Sequence, residues 1–144
     1  MSHRTGLHFS RSARWVLSLV FLTSLTTGLT WYYLQHWGQV EGEWGDLAPH
    51  PWQKNLLRVH GASAFAVLMS CGFLIARHLP PAWRTRRQRL SGLPLTALIG
   101  IMITSGYALY YGSEEVHALA GQIHLYTGLS LPWVLIAHIL KRRR

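Results

Sequence analysis

Four histidines of this 144-residue chain, His60, His78, His124 and His138, fall inside or at the edge of long apolar runs. An ionisable ring in such a run is costly to bury, so its default reading is functional, with a partner to be named. Spacing narrows the partner. His60 and His78 are 18 positions apart, or five full helical turns, so both rings leave one face about 27 Å apart along the axis. His124 and His138 are 14 positions apart, which returns them to within about 40° of a common face, about 21 Å apart. Two such helices, running in the same direction and facing each other, would offer two bis-imidazole sites at two depths: His60 with His124, and His78 with His138. Paired axial imidazoles on facing helices are how a helical bundle holds haem iron.

The elements that must position these rings are four apolar runs, Trp15 to Leu34, Val59 to Leu79, Leu93 to Tyr111 and Ala118 to Leu140. Each is about as long as the ~20 residues that cross a bilayer. Backbone groups in lipid must be paired within their own segment, so these runs are predicted to be helices. The expectation is an all-α, four-helix transmembrane bundle forming one integral membrane domain over 1–144, with helices at about 15–34, 52–79, 92–111 and 114–140.

Punctuation supports those boundaries. Pro51 suits the first turn of the second helix, and Pro80-Pro81 is expected to stop it just after His78. Ser91 can cap the third helix, with Pro94 in its tolerated first turn. Gly112 ends that helix, and Ser113 with Glu114 and Glu115 starts the fourth, the acids lying at the positive end of its dipole. Gln35 to His50 reads as an ordered interfacial loop. The first run follows a basic stretch but offers no convincing cleavage site, so it reads as an uncleaved anchor.

A net charge of +9 and a pI near 10.6 would suggest nucleic-acid binding in a soluble chain. Here the charges are segregated. Arginines precede the first run, Arg77 and Arg84 to Arg89 separate the second from the third, and Lys141 to Arg144 follow the fourth, whereas all five acids occupy the other two loops. The bias of basic residues toward the inner face predicts both termini cytoplasmic and the acidic loops outside. A nucleic-acid partner is not expected; membrane lipid is.

The residues between the ligands permit a macrocycle. Ala64, Val67 and Cys71 on the second helix are small or medium, Gly61 and Gly72 flank them, and Gly128 lies beside the fourth helix's face. Cys71 is the single cysteine and forms no C-x-x-C-H motif, so attachment would be non-covalent and the haem of type b. Structural zinc wants four close N or S ligands, and each level here offers two. His117, seven positions before His124 on nearly the same face, is an alternative outer ligand or a surface proton carrier; depth in the helix favours His124. His3, His8, His36 and His50 fall outside the spans and read as solvated. Thr23, Thr27 and Thr30 form a stripe on the first helix that reads as a packing surface. Most of the aromatic residues cluster near the span ends, as interfacial belts do. Arg77 and its neighbours could face propionates or anionic lipid, although topology alone accounts for them.

With these residues placed, the chain resembles the small bacterial four-helix b-type cytochromes, including the membrane subunits of formate dehydrogenases and hydrogenases. The likeness rests on LRVHG around His60, ARHLPP around His78, RQRLSG, ITSGYALYYG, GQIHLYTGL around His124 and LIAHIL around His138, over about residues 50–140. It implies two haems b, ligated by His60, His78, His124 and His138, and electron exchange with the membrane quinone pool and an extracytoplasmic redox partner. Several members take a ligand from the first helix, which has no histidine here. Ligation confined to the second and fourth helices is nearer the cytochrome b of quinol-oxidising complexes, where the two ligand spacings are nearly equal.

The expected function is therefore transmembrane electron transfer, as a subunit of a membrane oxidoreductase rather than a stand-alone enzyme, since no nucleophile or acid–base pair is evident. The expected cofactors are two haem b, with quinone as a further ligand. A periplasmic c-type cytochrome or an oxidoreductase complex would dock on the acidic loops, and homo-oligomerisation is left open. The competing reading is a haem-free four-helix scaffold or small transporter whose histidines relay protons or bind a metal. The lack of any carboxylate within the spans weighs against it.

Overall fold

The computed structural model describes residues 10–84 and 89–143, with side chains over 10–77, 79–80 and 91–141. The fold is all-α. Helix α1 spans Arg11–Trp37, α2 Gln53–Arg84, α3 Arg89–Tyr111 and α4 Glu114–Arg143. A minimal antiparallel hairpin, β1 (Val40–Glu41) and β2 (Leu47–Ala48), joins α1 to α2, pairing Val40 with Ala48. All four helices are long and apolar enough to cross a membrane, which makes this a multi-pass membrane protein. The chain divides into two compact units, Met1–His78 and Leu79–Arg144.

The distribution of side chains is that of a protein dissolved in lipid. Among the described residues no large side chain is fully buried; apart from Leu131 the buried ones are small or polar, including Ser63, Cys71, Ser105, Ala120 and Thr127. The large apolar residues face outward, with Trp15, Phe65, Tyr126 and Trp133 all exposed. In water such a surface would be an aggregation liability; against acyl chains it is the solvated face. Hydroxyls in the spans turn back onto their own helices, Thr26 donating to the Leu22 carbonyl at 2.8 Å and Ser70 to that of Ala66 at 2.8 Å. No water is needed to satisfy them.

Helix ends follow local chemistry, with four departures from expectation. Ser10 caps α1, accepting from the Ala13 N–H at 3.1 Å, and Ser113 precedes α4, where Glu114 and Glu115 occupy the first turn. Helix α2 does not stop after His78 but continues through Pro80-Pro81 to Arg84. Proline's φ is already helical, so the two prolines remove the N–H bonds to the Ala76 and Arg77 carbonyls without forbidding helical dihedrals. Pro51 precedes α2 instead of sitting in its first turn; His50 performs the start, its Nδ1 accepting from the Trp52 N–H at 3.2 Å. Helix α3 begins at Arg89, so Ser91 is already helical and does not cap, and Pro94 lies inside the helix. Finally, α1 extends to Trp37, which places His36 in its last turn, where its Nδ1–H donates to the Tyr32 carbonyl at 2.9 Å.

Helices α3 and α4 pack closely in antiparallel register. A Cβ built on Gly92 would meet His138, on Gly106 His124, on Gly128 Met102 and on Gly121 Leu109, so contacts ascend one helix as they descend the other. Small residues at such a seam let backbones approach, the usual basis of helix association in lipid.

Candidate functional site

Three of the four ligand candidates have described side chains, and all three are handled alike. His60 on α2 reaches α1, where its Nδ1 lies 2.9 Å from the Ser24 carbonyl oxygen and 3.4 Å from Thr27 Oγ1. A carbonyl can only accept, so Nδ1 carries the proton and Nε2 holds the lone pair. The Thr27 hydroxyl spends its own hydrogen on the Thr23 carbonyl at 2.6 Å, and so also presents a lone pair to the ring. Gly28 makes the approach feasible: a Cβ there would stand 2.9 Å from His60 Cε1.

On α4, His124 Nδ1 lies 3.1 Å from Ser105 Oγ, and His138 Nδ1 lies 3.1 Å from Ser91 Oγ. Each serine is followed by the glycine over which the same ring sits, Gly106 under His124 and Gly92 under His138. All three rings are half-buried. The His78 side chain lies outside the described residues, as do His3 and His8.

The second-helix neighbours are mixed. Cys71 is buried and Val67 half-buried, whereas Ala64 is exposed; nothing lies within 4 Å of a Cβ on Gly72. The Gly128 gap is approached by Met102 of α3, at 3.7 Å, so this glycine serves the α3–α4 seam. Within their own helix pair the two candidates of α4 differ plainly: His124 turns onto Ser105 while His117 is exposed near Gly112 and Glu114. Arg77 is exposed and its guanidinium lies over the Phe73 ring at 6.0 Å.

Sequence reasoning missed the partners of these rings. Ser91-Gly92 and Ser105-Gly106 are themselves 14 positions apart, the same interval as His124 to His138, and this shared interval was readable. The Ser24 carbonyl had no readable signal, because every residue has one. Gln53 was also missed. It is buried, with its Nε2 unbonded among the described residues, and it stands seven positions before His60, within about 20° of the same helical face. Among the described residues no three His, Cys, Asp or Glu side chains converge, so a zinc-type ligand set is not assembled there.

Comparison with family models, with characterised proteins and with solved structures finds no match.

Proposed function

We propose that the chain is a b-type di-haem cytochrome that carries electrons between the quinone pool and an extracytoplasmic redox partner. The observation that carries this reading is the common treatment of His60, His124 and His138. Each has Nδ1 engaged by a neighbouring helix and a glycine at its ring edge, and for His60 this makes Nε2 the basic nitrogen. A metal-ligating imidazole characteristically donates its other N–H to a carbonyl or similar acceptor, which fixes tautomer and orientation. A ring that merely satisfies itself in lipid has no need of that pattern three times.

The residues present fit haem. Imidazole nitrogen is the donor its iron takes, two per iron, and Gln53 supplies an orphaned buried N–H on the His60 face that a propionate oxygen would accept. His60, His78, His124 and His138 would supply the imidazole ligands of the two haems. When bound, haem supplies one-electron chemistry at its iron; the helices set ligand identity, orientation and polarity. The charge asymmetry supports a reading with both termini on the cytoplasmic side of a bacterial inner membrane. The acidic hairpin carrying Glu41, Glu43 and Asp46 would then receive a basic periplasmic partner such as a c-type cytochrome, by electrostatic steering.

A visible spectrum of the purified protein, with haem-to-protein stoichiometry, tests the reading. Two b-type haems per chain are expected. His124→Ala should remove one, and His117→Ala neither; the reverse result would reassign the outer ligand. A folded, colourless, functional preparation would overturn the proposal in favour of a haem-free scaffold or transporter.

A further inference from the structure

We propose that Ser105 and Ser91 are positioning residues that set the hydrogen-bonded state of His124 and His138, and thereby the reduction potential at each of two separate levels. This rests on the haem reading above. The arrangement occurs twice on one helix pair, which an incidental contact would not do. Serine and glycine stand together at 91–92 and again at 105–106, and the antiparallel register of α3 and α4 delivers each pair to one histidine. In both cases the serine faces Nδ1 at 3.1 Å while the adjacent glycine leaves room beside Cε1.

The direction of the Ser105 bond follows from which imidazole nitrogen ligates. A serine hydroxyl has one hydrogen and two lone pairs. An imidazole that ligates through Nε2 keeps its proton on Nδ1, so Ser105 would accept from His124, and its own hydrogen then has the Met102 carbonyl, 3.2 Å away, as acceptor. In that state His124 would donate from Nδ1 while Nε2 serves the metal. Ser105 is 5% exposed, so water is poorly placed to substitute for it. An acceptor at Nδ1 gives the ring partial imidazolate character, which strengthens its donation and favours ferric over ferrous iron. Removing the acceptor should therefore raise the potential. It should also weaken haem retention, by roughly 10–100-fold if Ser105 behaves as other such partners do.

The experiment is a spectroscopic redox titration of the full-length protein in its wild-type, Ser105→Ala, Ser105→Thr and Ser91→Ala forms. Wild type should show two one-electron transitions. Ser105→Ala should move one of them to higher potential and Ser91→Ala the other, with Ser105→Thr restoring the first. Each tenfold change in relative ferric and ferrous affinity reads as about 59 mV. If Ser105→Ala folds poorly, Ser105→Cys, nearly isosteric but a weak acceptor, should still shift the same transition upward. Two haems whose potentials are unmoved in every serine variant would overturn this inference and leave the di-haem reading standing. Variants of both serines moving the same transition would also overturn it. A wild-type chain that binds no haem would remove the parent reading, and its own spectrum shows that before any variant is compared.

Discussion

The two helix pairs solve one problem by different means. In the first unit, α2 sends His60 across to a backbone carbonyl of α1, that of Ser24, with Gly28 clearing the path. In the second, α4 sends His124 and His138 to hydroxyls on α3, each beside a glycine. The carbonyl is fixed by the helix and leaves a strict tautomer. The hydroxyls depend on a side chain that mutation can remove. The pairs also differ in closeness. Helices α3 and α4 mesh along a glycine seam, whereas the described approach of α1 and α2 is concentrated at His60. Polar anchoring and close packing are therefore separable: the first pair anchors without a glycine seam, and the second does both.

Glycine-to-alanine substitutions sharpen that comparison, because the three glycines offer graded room. The largest effect is expected for Gly28→Ala, whose Cβ would stand 2.9 Å from His60 Cε1 and 3.1 Å from Nδ1. The ring is held by a backbone atom and must leave it, an overpacking cost of about 1–3 kcal/mol. Haem-to-protein stoichiometry should fall from two toward one. Retention of both haems would show that the Ser24 contact is dispensable.

Gly106→Ala comes next, with its Cβ 3.3 Å from His124 Cε1. A shift of a few tenths of an ångström accommodates it, so both haems should remain while one spectral band broadens or moves. Gly92→Ala is milder still: at 3.8 Å from His138 Cε1 the added methyl makes an ordinary contact. Alanine's helix preference is then free to stabilise the protein, by about 0.5–1 kcal/mol, measured as a small rise in melting temperature. Smallest of all should be Ser24→Ala, because His60 uses this residue's carbonyl and not its hydroxyl. Spectrum and potentials should match wild type. A Ser24→Ala effect as large as that of Ser105→Ala would erase the distinction between backbone and side-chain anchoring.

Much of this molecule could be read from residue types alone, and the limits are instructive. The four spans follow from run length, and depth in the helix separates the half-buried His124 from the exposed His117. The ends of the helices were less accessible. Pro80-Pro81 reads as a stop, yet α2 continues to Arg84, because a proline interrupts hydrogen bonds without forbidding helical dihedrals. Ser91 reads as a cap, yet it lies within α3 and faces His138, because a short hydroxyl side chain serves equally well as either device.

The sequence by itself determined that this chain lives in lipid, as four helices with histidines repeated at whole-turn or nearly whole-turn intervals. Hydrophobic length and helical period are properties of a single segment and need no partner to be read. Only the tertiary structure decided which atom receives each ring. A carbonyl belongs to every residue and a hydroxyl to many, so the choice of Ser24, Ser105 and Ser91 depends on the rotation and register of one helix against its neighbour, which is set by packing.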